Sequence, residues 1–182
     1  MEAVLLHCKD ISYDAWDALV NTSPQRNPFV HTWYLDAIGE DWYGIVVSLK
    51  GEWQAVMPMI IRNKILVKYA WQPILTKYWG PVFRHENYSS DYKLYAWQAG
   101  ILEVMLKAVP SSLKSIRYVF HPSFDYALPF HWAGYNLGLR YSYVLPLDKN
   151  VPALRKKFKP SLRNRLNNAE RLNYFISVED DT

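Results

Sequence analysis

The sequence predicts a mixed α/β fold in which a sheet is flanked by helices. Two apolar, strand-length runs, residues 44–49 and 53–61, flank Lys50-Gly51, a two-residue connection suited to a β-hairpin. Residues 91–109 place Leu94, Trp97, Ile101, Met105 and Ala108 on one helical face, and Pro110 stops the helix. Half of the 182 residues are apolar and 16% are aromatic, which excludes disorder and supplies a core.

Taken in order, residues 3–6 read as a short strand. Ser12 then caps a helix carrying Trp16, Leu19 and Val20. Residues 21–28, NTSPQRNP, are loop by composition, and residues 29–38 form a helix closed by Gly39. Pro58 inside the second hairpin strand predicts an edge position, a bulge or a strand end. Residues 64–71 are a single strand in this reading. Residues 74–84 form a Pro- and aromatic-rich connection holding Gly80-Pro81. Residues 117–120 return as a strand, 122–138 are loop, and 141–147 are a further strand. Two short helices follow. Asn150 caps the first, with Pro152 in its first turn, and Pro160 ends it; Ser161 caps the second, which carries Leu162, Leu166, Ala169 and Leu172 on one face. Residues 174–178 are apolar enough for a last strand. Since nothing follows to pair with it, it is expected to open a second domain supplied by another copy or chain, or lost by truncation.

Charge is concentrated near the C-terminus. Residues 149–171 hold eight Lys or Arg against one acid, Glu170. The chain totals are 21 and 17, so 13 cations and 16 acids lie elsewhere; the net +4 is +7 in this stretch and −3 outside it. Local positive charge points to an anion-binding segment rather than a generally basic nucleic-acid coat. A solvated basic face over an interdomain joint is the plainer alternative. No run approaches the roughly 18 apolar residues of a membrane span, and MEAVLLHCKD is too short and acidic for a signal peptide. With a single cysteine, Cys8, read as a structural thiol, a cytoplasmic location is expected.

Several strings in fixed order resemble the N-terminal half of the FemABX-like transferases. They are Asn27-Pro28-Phe29 with Trp33, the hairpin into Met57-Pro58, Gly80-Pro81, the run from Pro129 to Tyr135, and Leu145-Pro146-Leu147 leading to Phe158, Arg163 and Ala169. The resemblance implies a GNAT-like (N-acetyltransferase-like) domain over residues 1–147, with residues 148–182 as the basic helices and first strand of an otherwise absent second GNAT-like domain. It also implies the acceptor-binding half of a bacterial acyl or aminoacyl transferase acting on a cell-wall (peptidoglycan) or polysaccharide precursor. The activated donor, acyl-CoA or aminoacyl-tRNA, would enter through the missing second domain, so no cofactor is expected on this chain alone.

Acyl transfer needs an acceptor amine or hydroxyl, a route for its proton and donors facing the oxyanion; no residue can be assigned to the catalytic roles. There is no Gly-rich phosphate loop, no GNAT pyrophosphate loop and no GxSxG elbow. The five histidines are read as having no i,i+4 pair and no cysteine partner, so no metal is expected. His131, between Phe130 and Trp132, reads as a packed loop histidine or a proton carrier. The predicted substrate-binding site is a cleft in which Lys68, Arg163 and Arg165 neutralise an anionic group while Tyr78, Trp79 and Trp132 hold a sugar or base. The expected partner is a small-molecule or nucleotide-sugar acceptor. Two alternatives are a nucleic-acid-binding module built on the basic helices, and a protein-interaction domain or homodimer pairing through 174–178.

Overall fold

The computed structural model describes residues 1–145 and 150–172. The chain divides into two compact units, Met1–Gly138 and Leu139–Thr182, against a boundary expected at 147/148.

The first unit is a mixed α/β body. It begins with β1 (Glu2–His7), a 3-10 turn (Cys8–Asp10) and α1 (Tyr13–Thr22). Ser12 caps α1 as predicted, its Oγ accepting from the Ala15 N–H at 3.4 Å. The expected helix over 29–38 is split into a 3-10 turn (Pro28–Val30) and α2 (Thr32–Ala37), because the His31 backbone is extended between them. Asp17 fastens this break: its carboxylate accepts from the Thr32 N–H at 3.1 Å and the Thr32 hydroxyl at 2.5 Å. Gly39 adopts the left-handed conformation expected of it, φ +73°.

The hairpin forms where predicted, β2 (Tyr43–Leu49) against β3 (Glu52–Met59). Lys50 and Gly51 take φ of +52° and +83°, the pair of positive values a tight hairpin turn requires. The register shifts at Val47/Ser48, leaving Gln54 as the extra residue of a bulge. β1, β2, β3 and the short β6 (Val82–Phe83) make a four-stranded antiparallel sheet in that order. β6 pairs only with Ala55 and Val56, so Pro58 pairs on one side alone, with Gly44 of β2; its missing N–H costs no ladder bond there.

Both faces of this sheet are buried, and alternate residues serve different cores. Val46 and Val56 face Trp16, Leu19, Val20, Leu35 and Trp42 under α1 and α2. Ile45, Val47, Ala55 and Met57 face Ile101, Leu102 and Met105 of α3 (Asp91–Lys107), with Phe124 and Phe130 beyond. Gly44 lets the Trp16 ring lie against the strand, since a Cβ there would sit 2.5 Å from Trp16 Cζ3. Trp16 is held in turn by its indole N–H donating to the Val30 carbonyl at 2.8 Å.

A second sheet is mixed, in the order β4 (Arg62–Lys64), β5 (Val67–Trp71), β7 (Leu113–Arg117), with β5 and β7 parallel. This corrects two expectations. The single strand over 64–71 is the hairpin β4–β5, turned at Ile65 with φ +59° and carrying Ile65 and Leu66 exposed at its tip. The strand expected over 117–120 lies earlier, because residues 113–117 make the ladder with β5. Residues 118–120 instead run alongside the 72–79 connection: Trp79 N–H donates to the Val119 carbonyl at 2.7 Å, and Val119 N–H to Gln72 Oε1 at 2.6 Å. Within the expected loop 122–138 a short helix, α4 (Leu128–Trp132), forms with Pro129 in its first turn.

In the second unit, residues 141–145 form no strand and are exposed, against the strand expected over 141–147; Pro146 and Leu147 lie outside the described residues. Asn150 caps α5 (Val151–Lys156), its Oδ1 accepting from the Ala153 N–H at 3.1 Å. α6 (Pro160–Arg171) starts one residue before the cap predicted at Ser161: Lys159 takes the cap position and Pro160 the first turn, where its fixed φ fits. The strand expected over 174–178 lies outside the described residues. Among the described residues no helix is long and apolar enough to cross a membrane.

Candidate functional site: an aromatic and cationic sheet face

The predicted site residues fall in both units, and each unit is described by itself. In the first, Lys68 is exposed on β5. Tyr78 is half-buried, edge-on to the His121 ring at 5.1 Å, with the Lys77 ammonium 5.2 Å from its centroid. Burial lowers the pKa of His121, so its imidazole favours the neutral form against Tyr78. Trp132 is 66% exposed on α4. Trp79, by contrast, is 1% exposed and belongs to the core under α1 and α2. Its backbone is pinned to Val119, which turns the ring inward, so Trp79 offers no face to a ligand and is corrected to a packing residue. Among the described residues no hydrogen bond or ring contact joins Lys68, Tyr78 and Trp132.

Sequence reasoning missed a different arrangement. On the outer face of the second sheet, register sets Tyr69 beside Ser115 and Trp71 beside Arg117, while Ala70 and Ile116 turn to the core. The Tyr69 and Trp71 rings lie 4.9 Å apart, and the Arg117 guanidinium sits 4.9 Å from the Trp71 ring centroid. Trp71 is fixed by its indole N–H donating to Ser115 Oγ at 3.0 Å, and it keeps 40% of its surface exposed. At the far side Arg62 donates to the Trp71 carbonyl at 3.0 Å and grips Glu40 through two nitrogens, at 2.6 and 2.5 Å. That fork holds the Glu40 carboxyl below its ordinary range. The result is a ring platform with a cation over it, the combination that stacks on the apolar side of a sugar or base and attracts its charged substituent. A cavity of about 430 Å³ adjoins it, sharing Ser115 and bordered by Lys114, Leu113, Leu106 and Tyr135. The available signal was the alternation Tyr69/Trp71; Arg117 was not legible as a site residue because its ladder position was misassigned.

In the second unit Arg155 donates to both Glu170 oxygens, at 2.6 and 3.0 Å, and to Asn167 Oδ1 at 2.6 Å, tying α5 to α6. Glu170 is the sole acid between residues 150 and 172. With it engaged by Arg155, the exposed Lys156, Lys157, Lys159, Arg163, Arg165 and Arg171 have no carboxylate among those residues to neutralise them. Arg163 and Arg165 are exposed on α6, and among the described residues neither meets an aromatic ring.

No protein-family model matches this chain, and no curated protein matches it. A solved structure described as the crystal structure of FemX is similar to it, at 20% sequence identity and a TM-score of 0.46. The match covers 94% of this chain and 44% of that one, so the chain spans less than half the length of the protein it matches.

Proposed function

We propose that this chain is the acceptor-binding part of a FemABX/GNAT-like acyl or aminoacyl transferase, and that the acceptor is a nucleotide-linked or otherwise anionic cell-wall precursor. The observation that carries this reading is the platform of Tyr69, Trp71 and Arg117, which suits a sugar or base bearing a negative group. The ordered strings from Asn27 to Ala169 supply the choice of transferase. In the second unit, taken by itself, Arg163 and Arg165 offer forked donors to a phosphate. Transfer itself is assigned to a second domain or chain, which brings the acyl-CoA or aminoacyl-tRNA donor. The residue that takes the acceptor's proton is left to that second part.

Calorimetry with a nucleoside-diphosphate sugar tests the reading. Binding to the parent chain, weakened about tenfold by Trp71→Ala, is the expected result for the platform, and Arg163→Ala tests the second unit separately. Unchanged binding in Trp71→Ala would overturn the platform, and unchanged binding in Arg163→Ala would drop the helix. Salt dependence separates the alternative of nucleic-acid binding: a diphosphate pocket gives a shallow log–log slope, whereas a module neutralising about six phosphates gives a slope of roughly −5.

A further inference from the structure

His7, Cys8 and Asp41 come together where β1 ends and the chain enters β2. Each offers one ligand atom lying within 4.8 Å of the other two. Backbone pairing brings them there: His7 is registered opposite Tyr43, and the Cys8 N–H donates to the Trp42 carbonyl at 3.0 Å. The His7 ring is steadied edge-on against Tyr43 at 5.1 Å. We infer that these residues form a binding site for a divalent ion of the zinc type, with thiolate, imidazole and carboxylate as ligands and water completing the shell. It shares no residue with the acceptor surface proposed above.

The chemistry of the set selects the ion. A thiolate with an imidazole and one carboxylate suits a borderline metal and not magnesium or calcium, which take oxygen ligands. The distances fit as well. Zinc bonds of about 2.3 Å to sulfur and 2.0–2.1 Å to nitrogen, opened to a tetrahedral angle, set the two donors about 3.5 Å apart. Cys8 Sγ and His7 Nδ1 are 3.5 Å apart. One ion takes only one ring nitrogen: with Nδ1 facing Cys8, Asp41, whose Oδ1 lies 3.9 Å from Nε2 and whose side chain is 78% exposed, swings round to join the set. The thiol is part-buried beside the core under α1 and α2, which limits competing water on that side.

Loading has a defined cost. The Lys9 N–H donates to His7 Nδ1 at 3.2 Å, which keeps the ring proton on Nε2. Coordination through Nδ1 takes the lone pair that this N–H uses. Coordination through Nε2 moves the ring proton to Nδ1 and breaks the same contact. In either case the Cys8 thiol gives up its proton to solvent as the metal–sulfur bond forms. The expectation of no metal rests on the lack of an i,i+4 histidine pair and of a cysteine beside a histidine; the second premise fails, since His7 adjoins Cys8 directly, while Asp41 arrives through strand pairing.

The test is titration of the reduced, chelator-treated chain with Co²⁺, followed by displacement with Zn²⁺. One equivalent of Co²⁺ producing a sulfur-to-metal charge-transfer band, erased by Zn²⁺, is expected. Bound Zn²⁺ should also slow alkylation of Cys8. Cys8→Ser should abolish the band, and Asp41→Asn should weaken binding at least tenfold while circular dichroism stays that of the parent chain. Absence of the band in the parent chain would overturn the assignment. Equal affinity in the parent chain, Cys8→Ser and Asp41→Asn would do the same.

Discussion

Gly80 stands between the buried Trp79 ring and the 117–120 segment, and its replacement by alanine has a cost that can be worked from the structure. The residue has φ +140°, where an L side chain is strained by about 1–3 kcal/mol. An added Cβ would also lie 2.5 Å from Phe120 Cδ1 and 2.9 Å from Cε1. Phe120 has little room to retreat, because its ring already packs on Phe124 at 5.1 Å and Phe130 at 4.8 Å. Overpacking of that kind costs a further 1–3 kcal/mol. Gly80→Ala should therefore destabilise by about 3 kcal/mol, lowering Tm by roughly 10 °C for a domain of this size. Urea unfolding of Gly80→Ala, Phe120→Leu and the double variant separates the two contributions. Leucine at 120 removes the ring edge that the new Cβ meets, so in that background Gly80→Ala should retain only its backbone cost, with a coupling of about 1–2 kcal/mol. Additive single changes, or a Gly80→Ala loss below about 1 kcal/mol, would refute the account of a backbone held against the Phe120 ring.

Three further outcomes are expected. Gly100 sits inside α3 with open space where a Cβ would go, so Gly100→Ala should raise stability by about 0.5–1 kcal/mol in the same urea assay. Trp16→Phe strands the Val30 carbonyl that the indole N–H serves and should cost about 2 kcal/mol, most of it absent from a surface control such as Trp33→Phe. The pKa of Tyr13 is pushed up to about 12, first by partial desolvation of a side chain that stays 37% exposed and then by its hydroxyl donating to Asp36 at 2.9 Å. A tyrosine raised in the folded state contributes stability that is fully present below the ordinary value near 10 and fades as pH climbs through about 12. Stability measured across that window should fall less steeply in Tyr13→Phe, and phenolate absorbance should show one late-titrating tyrosine fewer.

The elements legible in the sequence are those whose signal is local. α3 follows from its 3.6-residue apolar spacing and Pro110, the β2–β3 hairpin from Lys50-Gly51, and the α1 cap from Ser12. The β4–β5 turn was hidden because Ile65, which takes positive φ, is neither Gly nor Asn and sits in a run that alternates like one strand. The strand over 117–120 was misplaced for a related reason: Tyr118, Val119 and Phe120 have strand-like side chains, but partner choice with β5 was decided at Leu113–Arg117. For the site, composition marked the cations of α5 and α6 and the aromatics around residue 70. It could not tell Trp79, which the backbone turns inward, from Trp71, which register turns outward beside Arg117. Such distinctions depend on pairing between distant segments, which residue type does not encode.

Because β2 and β3 bury both of their sides, every residue along them is committed to one of two unlike environments. Unless the bulge at Gln54 absorbed it, one position deleted or added between Leu49 and Glu52 would invert that commitment along β3, offering Met57 to Trp16 and Trp42 and Val56 to the α3 helix. Length variation at this connection is thus favoured in even steps, an odd step requiring a compensating change at the bulge.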